Sequence, residues 1–563
     1  MRVRRFWQRS GVLVLGLGLC AWAQGARGRG NARGARGAAT ANADTASAPA
    51  QTVAPPPPAA APAAAARGRG GRGAAPAGPN DLYDFSAGAG DMQVPHGPAA
   101  ESQQQITLNG QPVAYTAHAG FLAVNNATTG APEAQLFYTY YARGGGADRP
   151  LIFFVGGGPG EAATWMEMGG FGPKRLDLAA DGANLPPYRW SDNPQTLLAD
   201  ADLVFVNPVG TGFSRAETPA LNAKFATPLY DAASLGEFVR SFLEQYQRWN
   251  SPRILVGEDT GTGRVANLAS YLASHELPVN GIVLLSAAQA SDATAGDEQY
   301  MTLLPSEVMT SWFHKKLASD LQALSAAQIA DRARQFASRE YLHALYKGDR
   351  MTAAERGQVL TDMARLTGLS QSFLANNDLR IPIDRYDAEL LRPRHEQIMD
   401  SDSRFTGYLH PGGAGRGGRG GFGAAPAPAD DAHADLLADA FLAGYEQYLR
   451  QDLKFTTPGI FYLQRGGGDP WTAAVSDDVS LASALDHDPH MQIFVGLDYF
   501  DLNSPFYATE FTLAHLQAPA AELSHDVTTA YFAAGAMPYT DPTALGALHT
   551  DLTQFIHKAA GER

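Results

Sequence analysis

Residues 254–264 constrain this chain more than any other stretch: Ile-Leu-Val-Gly-Glu-Asp-Thr-Gly-Thr-Gly-Arg. An apolar run ends in Gly257-Glu258-Asp259-Thr260-Gly261, and residues 265–272 continue with helical spacing. Two glycines bracketing one position suit a strand–sharp turn–helix connection. Such a turn holds its central residue in strained backbone and lifts that side chain over the end of a sheet. The residue so placed is Asp259. The pentapeptide therefore predicts a strand, a helix and a site at the apex, provided the rest of the chain supplies a sheet.

The rest of the chain does. Short runs rich in β-branched and aromatic residues, at 105–108, 112–117, 120–124 and 135–141, are separated by Asn-Gly and Thr-Gly turns and read as strands. Residues 150–155 and 202–206 are almost wholly apolar, as strands buried on both faces are. The first ends at Gly156-Gly157-Gly158-Pro159-Gly160, the second at Asn207-Pro208-Val209-Gly210-Thr211-Gly212-Phe213-Ser214-Arg215. Helical periodicity over 234–246, then strands at 281–285, 491–495 and about 528–532, complete an α/β pattern with a largely parallel sheet. Catalytic loops of such a sheet lie at the carboxyl ends of its strands, where each Gly-rich turn falls. Residues 291–487 differ: spacing over 306–324, 325–345, 352–366 and 435–453 is helical, which reads as a cap inserted between strands and interrupted by a low-complexity loop at 412–429.

The first eighty residues are set apart by composition. Residues 1–23 read as a secretory signal: Arg2, Arg4, Arg5 and Arg9, a short apolar run, then Ala21-Trp22-Ala23 as the small-x-small cleavage site. The apolar run is too short to span a bilayer, so no transmembrane segment is expected. Cys20, the only cysteine, admits a lipid-anchor reading, although Leu19 suits it poorly. Once the signal is removed no thiol remains, which excludes disulfides, cysteine nucleophiles and thiolate metal sites. Residues 24–80 are an Arg/Gly/Ala/Pro-rich linker with too little apolar material to fold, so residues 81–563 are left as the folded domain. Eleven Arg against Asp44 give residues 1–80 a charge of +10, leaving −24 on the remainder of a chain whose formal net charge is −14. A solvated tether is the expected role of this basic arm; contact with anionic envelope polymers is the alternative, and no specific nucleic-acid partner is expected. Export to a bacterial periplasm or to the medium follows.

The three turns together, with Leu303-Leu304-Pro305, Ser311-Trp312-Phe313-His314, Asp402-Ser403-Arg404-Phe405-Thr406-Gly407 and Tyr499-Phe500-Asp501-Leu502-Asn503-Ser504-Pro505, resemble the serine carboxypeptidases of bacterial type. The resemblance runs from about residue 105 to 556. It implies an α/β-hydrolase fold, a mostly parallel central sheet with a helical cap insertion, and acyl transfer by a Ser…Asp…His triad. Carried over by position, the triad Asp is Asp501, the nucleophile position is Asp259, and the His position, in Ala534-Gly535-Ala536-Met537-Pro538-Tyr539, is Ala536. The oxyanion donors implied are Gly158 and Thr260, and substrate-binding positions are Gly157 and Glu258. Gly156 stands where the family has Asn, and Glu161 where small polar residues are usual.

A methyl group takes no proton, and losing triad members costs on the order of 10⁴–10⁶ in rate. The leading expectation is a degenerate peptidase that keeps a cleft for peptides, protein C-termini or another partner. Two alternatives remain: a rewired carboxypeptidase, and an Asp259 ester nucleophile in the manner of dehalogenases and epoxide hydrolases, which without a base would be a single-turnover trap. His275, His314, His343, His395, His410, His487, His490, His525 and His549 show no metal-ligand spacing, so no metal or cofactor is expected; His525 or His549 would have to serve a rewired triad. Trp165 and Trp312 suit a peptide cleft or ordinary packing.

Overall fold

The computed structural model describes residues 97–144, 146, 148–157, 160–179, 184–287, 296–408, 432–463, 477–516 and 526–561. The chain divides into two units, Met1–Pro79 and Asn80–Arg563. The signal, Cys20, the linker and the loop at 412–429 lie outside the described residues, as do His410 and His525.

Nine strands form the path of the central sheet: β1 (Ala100–Leu108), β2 (Gln111–Asn125), β3 (Pro132–Ala142), β4 (Leu151–Val155), β5 (Asp202–Val206), β6 (Arg253–Glu258), β7 (Gly281–Leu285), β8 (Gln492–Asp498) and β9 (Val527–Phe532). Their order is β1-β2-β3-β5-β4-β6-β7-β8-β9, and the two-residue strand Arg215–Ala216 pairs with β3 off this path. The first three and β3/β5 pair antiparallel. From β5 to β9 every pairing is parallel. A short antiparallel edge, a crossover that places β5 between β3 and β4, and helices between the parallel strands make this the α/β-hydrolase fold.

The β2 region departs from expectation. Residues 112–117 and 120–124 belong to one fifteen-residue strand, because Ala119-Gly120 continues the ladder and leaves no turn. A Cβ on Gly120 would lie 2.6 Å from Ala99 Cα, so the glycine lets the chain entering β1 cross at van der Waals range. β1 itself starts at Ala100, five residues before its apolar signal, since Glu101 to Gln105 are polar on both faces.

The parallel strands are buried on both faces, and alternate residues feed two cores. Leu151, Phe153 and Val155 pack with Phe238 and Val265 of helices α1 (Pro228–Tyr246) and α2 (Gly261–Ser274). Ile152 and Phe154 face the other way, toward Phe441 and Phe555 of α3 (Ala432–Gln451) and α4 (Pro542–Ala559). Phe154 stacks between Phe171 and Phe205, with ring centroids at 5.1 and 4.4 Å. Each such side chain contributes about 1.5–3 kcal/mol on burial.

Between β7 and β8 the described insertion is helical. Its first long helix, Glu298–Phe313, begins eight residues before the periodic signal and carries Pro305 within it. It stops at His314, followed by Lys315 at φ +61°, so no single helix runs over 306–324. Capping boxes at Ser325/Gln328 and Thr352/Glu355 open the helices Ala326–Phe336 and Ala353–Thr367. Two helices of the stretch read as cap lie on the sheet layers instead. Helix Asp477–His487 meets α2 through Ser483 and Ser270, whose hydroxyls are 2.9 Å apart. α3 is tied to β3 through the buried Glu167 carboxyl, which accepts from Tyr445 of α3 and from Thr139 of β3.

Candidate active site

Backbone sterics build the elbow. Asp259 sits at φ +50°, its N–H donates to Leu285 O of β7 at 3.0 Å, and Thr262 N–H closes the turn onto Asp259 O at 3.0 Å. A Cβ on Gly257 would overlap the Gly261 carbonyl, and one on Gly261 would stand 2.9 Å from Gly157 Cα. The spacing predicted the strand–turn–helix; that Gly261 also lets the Gly-rich turn approach is seen only in the structure. Asp259 is half-buried and Thr260 exposed, so the apex reaches solvent.

The structure brings Asp501 to the same place. It follows β8, and Ser504 joins it to Asp259: Ser504 N–H donates to Asp501 Oδ1 at 3.0 Å while its hydroxyl reaches Asp259 Oδ1 at 3.5 Å. Asn503 N–H also donates to Asp501 Oδ1, at 2.9 Å. Asp501 is fully buried and its Oδ2 has no hydrogen-bond partner. Burial, with the Asp259 charge adding to it and the two N–H bonds opposing, raises its pKa to about 8. At neutral pH it is mostly an uncharged acid.

Position 536 adjoins these groups through a strap at residues 400–403. Asp400 O accepts from Leu502 N–H, Ser401 O from Ala536 N–H at 2.8 Å, and Ser403 N–H donates to Phe500 O. The Ala536 carbonyl accepts from Ser286 Oγ at 2.7 Å, and Ser286 Oγ is also 2.5 Å from Asp498 Oδ2. Burial pushes the Asp498 pKa well up, opposed by the hydrogen bond from Ser286.

Glu258, 8% exposed, accepts from Tyr539 OH at 2.6 Å through Oε2, and its Oε1 has no partner. Burial chiefly, then Glu161, Asp259 and Asp498, raise its pKa well above the carboxylate range. Burial also raises Asp259, partly offset by hydrogen bonds from Thr260 N–H and Ser504. Glu161 lies on the Gly-rich turn: a Cβ at Gly157 would run into its Oε2. Gly158 falls outside the described residues.

Several groups here escaped the sequence reading. Arg264, buried on α2, pairs with Asp231 at 2.9 Å and donates to the carbonyls of Gly156, at 2.6 Å, and Gly157, fixing the Gly-rich turn against the elbow helix. Its place three residues past Gly261 was the available signal. Ser504 stood within a quoted motif, but its contacts join loops 245 residues apart. Ser286, at φ +47°, and Asp498 carry no signal beyond being polar residues at strand ends.

Among the described residues no hydrogen bond joins a histidine to Asp259 or Asp501, and His525 lies outside the described residues. His314 Nε2 lies 2.7 Å from Ser403 O, and burial lowers its pKa; His549 is on α4. Trp165 is buried against Phe441, and Trp312 Nε1 donates to Leu324 O; both are packing residues. Among the described residues no group of three or more His, Cys, Asp or Glu could hold a metal ion, and no helix is long and apolar enough to cross a membrane.

Four carboxyls, Glu258, Asp259, Asp498 and Asp501, lie on β6, β8 and the turns that follow them, each with its pKa raised chiefly by burial.

Comparison with solved structures finds similarity to a prohormone-processing carboxypeptidase from Saccharomyces cerevisiae, at 12% identity over 79% of this chain and 91% of that one, TM-score 0.48. A proline iminopeptidase from Mycobacterium smegmatis (13% identity, 82% and 99% covered, TM-score 0.31) and a haloalkane dehalogenase from Bradyrhizobium elkanii (13%, 82% and 99%, TM-score 0.29) are also similar. No curated protein sequence matches the chain. The family model described as serine carboxypeptidase matches residues 108–350, a span that holds the Gly-rich turn, the turn at 207–215 and the elbow. That match supports the serine carboxypeptidases as the family to which this chain is related.

Proposed function

We propose that this chain is an exported serine carboxypeptidase-like protein whose hydrolytic machinery is degenerate and whose cleft serves binding of a peptide or protein partner. The family match supports a peptidase-like hydrolase ancestry. The observation that carries the degenerate reading is the orphaned Oδ2 of Asp501: fully buried, without a hydrogen-bond partner, on a loop that residues 400–403 tie to the loop carrying Ala536. An acid kept to orient a base has nothing there to orient. In this reading Asp259, Asp501 and Ala536 are the former triad positions, Thr260 a former oxyanion donor, and Gly157 and Glu258 former substrate-binding positions.

The test is C-terminal trimming of a mixed peptide pool by the purified protein, followed by mass spectrometry from about pH 4 to about pH 8, with Asp259→Ala alongside. No residue loss in either sample is expected. Loss that disappears with Asp259→Ala would sink this reading. The half-exposed carboxylate at the elbow apex supports one second reading, a covalent ester on Asp259 that no base hydrolyses. Intact-mass analysis after incubation with ester or halide substrates decides it, through a stable adduct that Asp259→Ala abolishes.

A further inference from the structure

Glu167 is a carboxyl that the candidate site does not use. It opens the π-helical turn Glu167–Phe171, is 1% exposed, and is enclosed by hydroxyls from two separate elements. Thr139 Oγ1 and Tyr141 OH of β3 donate to its Oε1 at 2.9 and 2.5 Å, and Tyr445 OH of α3 donates to its Oε2 at 2.9 Å. Tyr448 OH, also on α3, lies 3.1 Å from Tyr141 OH. Among the described residues no Lys, Arg or His shares a hydrogen bond or ion pair with this carboxyl. Charged groups of the neighbouring elements are engaged elsewhere: Lys174 pairs with Asp192, Arg175 lies beside Asp177, Trp190 Nε1 donates to Asp452, and Tyr539 OH donates to Glu258. Tyr115 of β2 packs edge-on against Tyr141.

Three hydroxyl donors suit a carboxylate, but they carry no net charge to balance one. An ionised Glu167 is therefore a buried charge without a counter-ion. Burial outweighs the three hydrogen bonds and raises its pKa to about 7. Burial also pushes Tyr141, Tyr445 and Tyr448 well up, so these phenols keep their protons while Glu167 titrates. Lifting α3 off the sheet takes Tyr445 and Tyr448 away from the carboxyl and lets water reach it, which returns it toward its ordinary value. The docked helix thus holds a proton that the lifted helix releases, and by linkage acid favours docking. We propose that Glu167 is a proton-dependent latch: protonated, it fastens α3 to β3, and ionised, it loosens that helix from the sheet. The turn that carries Glu167 also carries Phe171, packed at 5.5 Å on Tyr539, the residue that donates to Glu258, so the latch adjoins the candidate site.

Hydrogen exchange of the full protein tests the latch, read by mass spectrometry from about pH 5 to about pH 8 and corrected for the intrinsic rate at each pH. Wild type, Glu167→Gln and Tyr445→Phe are compared. In wild type the opening equilibrium of α3 should rise at least about tenfold between about pH 5 and about pH 7 and level off above, while β6 and β7 stay better protected than α3. Glu167→Gln keeps the shape and cannot ionise, so its α3 should change by less than about threefold over the same range. Tyr445→Phe removes a donor that favours the charged form, so its rise should continue past about pH 7; this variant decides if Glu167→Gln fails to fold. A wild-type α3 that stays flat within about threefold overturns the proposal, as does the same rise in Glu167→Gln, or levelling of Tyr445→Phe at the wild-type pH. Exchange of α3 in step with β6 and β7 at every pH overturns it too, since Glu167 would then be an ordinary buried acid of one cooperative unit.

Discussion

Replacing Asp501 by Asn should shift stability increasingly in favour of the variant as pH rises, until the variant is the more stable protein near neutral pH. In the folded chain the Asp501 pKa is about 8, raised chiefly by burial; in the unfolded chain it is about 3.9. Between those values the folded state holds a proton that the unfolded state has released. Its contribution to stability is therefore complete below about pH 4 and is lost progressively as pH rises toward 8, at about 1.4 kcal/mol per unit. Asparagine keeps the acceptor for Asn503 and Ser504 N–H and has no such dependence. It leaves a buried amide N–H₂ where Oδ2 has no partner, a pH-independent cost of about 1–3 kcal/mol. The stability of Asp501→Asn relative to wild type should then rise by about 3 kcal/mol between about pH 5 and about pH 7.5, from near neutral or unfavourable to clearly favourable. Urea denaturation of both proteins at several pH values measures this, because groups common to both cancel in the difference. A difference that stays flat within about 0.5 kcal/mol would refute the claim that Asp501 is a neutral, orphaned acid.

Three further outcomes follow from the same geometry. On the proposed reading, Asp259→Ser and Ala536→His together should raise hydrolysis of an activated ester by at least about a hundredfold, and either change alone should do little. Gly261→Ala should cost about 1–3 kcal/mol by forcing the Gly-rich turn off the elbow, whereas Gly546→Ala, in a helix with no atom within 4 Å of the new methyl, should be neutral or stabilising by thermal denaturation. Arg264→Leu should lose about 3–5 kcal/mol, because it strands Asp231 and two carbonyls, and Arg264→Leu/Asp231→Leu should recover part of that in chemical denaturation.

The frame of the site was legible in the sequence because glycine spacing is a backbone requirement. Gly257 and Gly261 mark the elbow wherever the chain goes next, and wholly apolar runs mark strands buried on both faces. Asp501 was legible only through resemblance, since an Asp after a strand is ordinary. What escaped was whatever depends on a partner far along the chain. Ser504 matters because Asp259 is opposite, and Arg264 because two carbonyls of another loop point at it. The orphaned oxygens of Glu258 and Asp501 were invisible for a related reason: a missing hydrogen bond is a property of the surroundings. Helix limits in the insertion were misread where Pro305 continued a helix and Lys315 ended one.

The strap at 400–403 reaches the loops carrying Asp501 and Ala536 with main-chain donors and acceptors. The elbow likewise is set by a β7 carbonyl and by glycines. None of these contacts consults the identity of residue 259, 501 or 536. The mounting of these loops is thus specified by backbone pairing and by glycine, so the frame is indifferent to which side chains stand at 259 and 536, whereas the side chain of Asp501 is itself part of the turn that follows it.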